Sequence, residues 1–113
     1  MQDRIQVNGI WYVREEERQI EVFEYKCLMY ENEKFVFEAS IDEETNRLDL
    51  IEVTNKQVKP WKEKTWDSLG FFRGCLERHP DSMLSLRTEE GFSDDDFETF
   101  IAFLKEIQKR GYL

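Results

Sequence analysis

The chain has 113 residues, 40% hydrophobic and 36% charged, with a formal net charge of −9. That length can bury one core without disulfides or a structural metal, and nine Phe, four Tyr and three Trp exclude a disordered composition. The negative sign disfavours direct binding of nucleic acid or of an anionic membrane, because both gain affinity by neutralising phosphates.

The acidity is uneven: residues 1–57 carry seven basic against fourteen acidic side chains, and residues 58–113 nine against eleven. An acidic half of this kind attracts a basic partner, or imitates nucleic acid to a protein that binds it. The opening MQDRIQV has charges where a secretory leader needs an apolar run, and no stretch approaches the ~20 apolar residues of a membrane span. A cytoplasmic protein is expected, with Cys27 and Cys75 as buried, reduced thiols rather than a disulfide.

The first half reads as strands. RIQV alternates, and Asn8-Gly9 is a strong two-residue hairpin signal before IWYVRE, with Glu15 to Gln19 as a polar turn. The run QIEVFEYKCLMY places Ile20 and Val22 on one phase, then Phe23, Tyr25, Cys27 and Met29 on the other. KFVFEASI alternates cleanly, with Phe35, Phe37, Ala39 and Ile41 inward, whereas RLDLIEV slips again between Leu48 and Ile51. A one-residue slip in a period of two predicts a bulge or a change of packing surface. Polar turns ENE and DEETN separate these runs, so the economical topology is an antiparallel meander, curved and barrel-like.

From Thr54 the alternation disappears. NKQVKPWKEKTW sets Lys56, Lys59, Lys62 and Lys64 beside Trp61 and Trp66, the one locally basic stretch in the chain. TWDSLGFFRGCLERHP then suits a short helix capped by Thr65 and stopped before Pro80. In that helix Gly70 and Gly74 lie on one side, giving close approach or a shallow groove beside Phe71 and Trp66. SMLSLRT reads as a sixth strand.

GFSDDDFETF poses a choice between a metal site and a helix start. With Ser93 as cap, Asp94, Asp95 and Asp96 fill a first turn where negative charge is favourable, and Phe92 and Phe97 stand at the hydrophobic-staple spacing. Phe97, Phe100, Ile101, Leu104 and Ile107 recur every three or four residues, and Gly111 and Tyr112 follow as a Schellman ending. Consecutive helical carboxylates fan about 100° apart and cannot enclose an ion that needs six or more oxygens, so the reading is a helix over about 94–110 and no metal.

Catalytic signatures are sparse. His79 is the only histidine; it could shuttle a proton with Asp81, or meet Cys75 on a shared helix face, but its place at a helix end needs no catalytic role. No phosphate-cradling motif is present, and no cofactor is expected. Glu21, Glu24 and Glu38 alternate with apolar residues as a solvated strand face.

The expectation is therefore one α+β domain over 1–113. An antiparallel meander of five or six strands fills most of 1–54, and 55–113 holds a helix, a further strand and a C-terminal helix packed on the sheet. The function expected first is a non-enzymatic interaction module of inhibitor, immunity-type or regulatory kind, which binds a basic protein. It would act through its acidic sheet or through Trp61, Trp66, Gly70, Phe71 and Gly74. The alternative is a ligand-binding protein or enzyme with an aromatic pocket lined by Trp11, Phe23, Tyr25, Phe35, Phe37 and Trp66. A homodimer through a sheet edge or the Gly70/Gly74 face is the third reading.

Overall fold

The computed structural model describes residues 27–113 throughout, together with the backbones of the three strands Arg4–Val7, Ile10–Glu15 and Arg18–Phe23. The chain divides into two compact units, Met1–Asp67 and Ser68–Leu113. It is an α+β fold, with strands in the first unit and helices in the second.

The strands are β1 (Arg4–Val7), β2 (Ile10–Glu15), β3 (Arg18–Phe23), β4 (Cys27–Glu31), β5 (Phe35–Ile41), β6 (Leu48–Asn55) and β7 (Lys62–Trp66). Every neighbour pair is antiparallel and the order follows the sequence from β1 to β7, so the sheet is an open meander. No pairing among the described residues closes it, and the barrel-like expectation of five or six strands is corrected to an unclosed sheet of seven. The side chains of β4 to β7 are described, and these four strands carry the energetic account.

The alternation expected for Phe35–Ile41 is present in full: Phe35, Phe37, Ala39 and Ile41 are buried, while the residues between them are half-buried. Leu28 and Tyr30 join this inner face from β4, and Ile51 and Val53 from β6. Phe37 is the hub, stacked on Tyr30 at 5.8 Å and on Phe35 at 6.0 Å between ring centroids. Offset aromatic pairs at such spacing add roughly 0.5–1.5 kcal/mol beyond their area burial.

The two phase slips have different causes. Between β5 and β6, Ser40 faces Leu50 but Ile41 faces Leu48, so exposed Asp49 is the extra residue of a β-bulge. Of the two devices the slip in LDLIEV allows, a bulge or a change of packing surface, it is the bulge, and it falls before Leu50 rather than after it. The earlier slip is instead a chain reversal: Phe23 pairs with Cys27, which makes the single run of 19–30 two strands. β4 then buries Leu28 and Tyr30, leaving Met29 half-buried on the other face. The Asn8-Gly9 turn lies outside the described residues, as does Tyr25.

At the β5–β6 turn, Asp42 accepts backbone N–H bonds from Glu44 (2.8 Å) and Thr45 (3.0 Å), an Asx-type closure. Bonds from Thr45 and Glu44 to the charged form hold the Asp42 carboxyl below the ordinary carboxylate range. β7 is a correction as well, since Lys62–Trp66 reads as an irregular junction in the sequence yet pairs with β6 along its length. Its only inward apolar residue is Trp66, and strand periodicity is invisible where lysines hold the other inward positions.

The second unit has three helices rather than two: α1 (Leu69–Leu76), α2 (Pro80–Glu90) and α3 (Asp94–Lys109). Ser68, not Thr65, caps α1, and its hydroxyl accepts from the Phe71 N–H at 3.2 Å. Arg78 takes a positive φ of 57°, and the His79 N–H returns to the Gly74 carbonyl at 2.8 Å, which ends the helix. Pro80 then opens α2 at its first position, where a missing N–H costs nothing. The proline read as a stop is thus a start, and SMLSLRT is helix rather than strand.

α3 forms as its sequence dictates. Ser93 N–H donates to Asp96 Oδ2 (2.9 Å) and Asp96 N–H to Ser93 Oγ (3.2 Å), a reciprocal capping box. At the other end Gly111 N–H donates to Gln108 O (2.9 Å) and Tyr112 N–H to Ile107 O (3.2 Å), with Gly111 at φ 86°. These are the two bonds of a Schellman motif. The buried residues run from Asp96 to Ile107 and include Phe103 and Glu106, so at 100° per residue the buried arc covers about 220°. That is wider than the single face formed by Phe97, Phe100, Leu104 and Ile107.

Candidate protein-interaction face

The face of the sheet opposite Phe37 is built from the alternate residues of the same strands. One cross-strand row runs Glu31, Val36, Thr54, Glu63, and the next runs Met29, Glu38, Glu52, Thr65. Val36, Met29 and Leu50 are half-buried, and Glu31 and Glu63 are exposed. Partly exposed apolar side chains are therefore interleaved with carboxylates.

Glu38 lies directly opposite Glu52. Like charges directly opposite one another on a sheet are destabilising. The Glu52 carboxyl is raised above its ordinary value, first by partial burial and then by the charges of Glu63 and Glu38. Glu63, which faces Thr54 and is therefore diagonal to Glu52, acts more strongly than the residue opposite. Cys27 borders the same patch, and burial followed by the Glu38 charge pushes its thiol up to about 11. Such a thiol is protonated at neutral pH and is no nucleophile.

The β6–β7 connection flanks the face. Lys56 Nζ donates to Glu31 Oε2 at 2.7 Å and stands 5.9 Å from the centroid of the Trp61 ring. Lys56 thus ties the face to the turn that carries Trp61. The turn exposes Trp61 by 56% and Val58 by 44%. Trp66, by contrast, is buried under Lys64 at 4.9 Å. The basic and aromatic stretch accordingly holds two different tryptophans, one belonging to the inner layer and one presented outward.

The other sequence-derived site residues divide between the units. Gly70, Phe71 and Gly74 lie on α1 in the helical unit, whereas Trp61 and Trp66 lie in the sheet unit. Gly70 is exposed, with only Ser68 Oγ 3.7 Å from where a Cβ would stand. At Gly74 a Cβ would run into Ser82 Oγ, so this glycine permits the close approach of α2. Phe71 meets Phe72 edge to face at 5.9 Å. Among the pocket-lining set, Phe35 and Phe37 are fully buried and ring-stacked, Tyr25 lies outside the described residues, and so do the side chains of Trp11 and Phe23.

Cys75 and His79 do not share a helix face, since α1 ends at Leu76 and His79 caps α2. Burial pushes the Cys75 thiol up to about 12, only partly offset by a hydrogen bond with Ser82. His79 Nδ1 accepts from the Asp81 N–H at 3.3 Å, a capping contact. Asp94 pairs with Arg87 and Asp96 closes the capping box, so two of the three consecutive aspartates have structural tasks. Among the described residues no group of three or more His, Cys, Asp or Glu is placed to hold a metal ion, and no helix is long and apolar enough to cross a membrane.

No protein-family model, curated protein or solved structure matches the chain. The face therefore has to be read from its own chemistry. Reading the sequence places Glu38 on the outward phase of its strand, but the opposition of Glu38 and Glu52 and the bridge through Lys56 depend on register. The alternation in FVFEASI and in DLIEV is the only trace they leave.

Proposed function

We propose that the protein is a non-catalytic interaction module that binds a basic protein surface through the outer face of β4 to β7. The carrying observation is the like-charge group Glu38, Glu52 and Glu63 on a half-buried face that also displays Met29, Val36 and Leu50. Carboxylates kept close together and partly desolvated are an unfavourable arrangement in the free protein. A lysine or arginine seated among them relieves the repulsion while its partner covers the apolar side chains, so binding gains from both. An inhibitor, immunity-type or regulatory accessory protein would use such a surface.

The test is an amide-shift titration with a short lysine oligomer at low ionic strength, repeated at about 0.5 M salt, where the screening length falls to a few ångströms. Shifts should concentrate at residues 29–38, 50–54 and 63–65, weaken in salt, and shrink in the E38Q/E52Q variant. Shifts scattered over the whole surface, or none, would refute the reading.

A further inference from the structure

We infer that the β6–β7 turn is the apolar anchor of this interface, and that the partner segment is basic and amphipathic rather than merely basic. The inference rests on the proposed reading of the acidic face and adds the chemistry of what docks there. Four large hydrophobic side chains are exposed among the described residues, and two of them, Val58 and Trp61, are in this one turn. The others, Leu69 and Leu84, lie in the helical unit.

Trp61 has a cation beside its ring. Lys56 is held by Glu31, its side chain only 14% exposed, and its ammonium stands beside the indole. The turn is further shaped by Asn55 Oδ1, which accepts from the Gln57 N–H at 2.9 Å. Tryptophan is enriched among the residues that dominate binding energy, because its large rigid ring buries much area for few rotatable bonds.

The connection Glu31–Lys56–Trp61 also fixes where this anchor sits, at the end of the row Glu31, Val36, Thr54, Glu63. A segment reaching from Trp61 over that row meets half-buried Val36 and then Glu63, with Met29, Glu38 and Glu52 in the row alongside. Charge complementarity selects the occupant: a polypeptide stretch with lysine or arginine over the carboxylates and aliphatic side chains against Trp61 and Val58. The exposed lysine of the turn, Lys59, opposes a uniformly cationic ligand at this end, so apolar rather than charged residues belong there.

The experiment compares two synthetic peptides of roughly 18 residues, long enough for about five helical turns. One alternates lysine and leucine with helical period; the other has serine in place of every leucine and the same charge. Calorimetry on the full chain should show the Lys/Leu peptide binding at least ~10-fold more tightly, a margin of about 1.4 kcal/mol. W61A should remove most of that margin, weakening Lys/Leu binding far more than Lys/Ser binding. L84A, which truncates the most exposed apolar residue of the helical unit, should change neither.

Equal affinities for the two peptides with a silent W61A overturn the anchor while the charge reading survives. Binding of neither peptide overturns both. Lys/Leu binding that E38Q/E52Q leaves intact overturns the charge reading, and with it the assignment of a basic partner.

Discussion

The two units spend their carboxylates differently. In the helical unit Asp96 completes the capping box, Asp94 pairs with Arg87, Glu98 makes a two-pronged pair with Arg78, and Glu106 receives Arg110 at 2.9 Å. In the sheet unit Glu31 is paired with Lys56, but Glu52 carries the like charges of Glu63 and Glu38 beside it. Acids in the first setting are explained by the fold they hold. Within the sheet unit Asp42 likewise serves the fold, at the β5–β6 turn, but the charges around Glu52 disfavour its ionised form, and that contrast points to the outer face of the sheet rather than to the more conspicuous run of aspartates.

The same strand supplies the largest test of the contrast. Phe37 is fully buried and stacked on two rings, whereas its neighbour Val36 is half-buried on the outer face. Phe37→Ala should cost about 3–5 kcal/mol by leaving a cavity, and Val36→Ala about 1 kcal/mol or less, both read from urea midpoints at a common slope. A Val36→Ala penalty as large as that of Phe37→Ala would mean that the outer face is as tightly packed as the inner one. The interface reading could not survive that.

In the helical unit the matching test is Ser93→Ala. Losing the cap should cost about 1 kcal/mol, within the usual range of about 0.5–2, and should speed amide exchange of Asp96 and Phe97 before that of the helix centre. Stability unchanged by Ser93→Ala would show that the aspartates need another explanation.

How far these features could be read in advance follows from the range of the interactions that make them. α3 was legible almost completely because its cap, apolar spacing and Schellman ending are all encoded within about one turn of the residues concerned. The alternation of β5 was legible for the same reason, being a pattern of period two, whereas the slip in LDLIEV announced either a bulge or a change of packing surface and did not place the bulge at Asp49. β7 was hidden because Lys62 and Lys64 occupy positions where an inward apolar residue would have signalled a strand. α2 was hidden because Leu84 and Leu86 fit strand alternation, and Pro80 marks either a stop or a start. For the candidate site, each residue could be assigned a phase within its strand. The opposition of Glu38 and Glu52, and the Glu31–Lys56–Trp61 link across 25 residues between its ion-paired ends, needed the register.

The smallest effect is also the one that discriminates most sharply between a structural and a binding role for the sheet carboxylates. Glu52 has its folded-state pKa raised by burial, then by Glu63, then by Glu38. Between the ordinary glutamate value and that raised value the folded state binds more protons than the unfolded state, so stability falls as pH rises through this window. Below it, Glu52 is protonated in both states and carries no penalty; above it, the penalty is complete. Glu52→Gln should therefore stabilise the protein at neutral pH by a few tenths to about 1 kcal/mol, and the gain should vanish once the pH is below the ordinary carboxylate range. Carboxyl NMR of Glu52 adds the order of causes: Glu63→Gln should lower its titration midpoint more than Glu38→Gln does. If Glu52→Gln instead destabilises at neutral pH, the carboxylate is stabilised within its own fold, and the repulsion that favours a basic partner is absent.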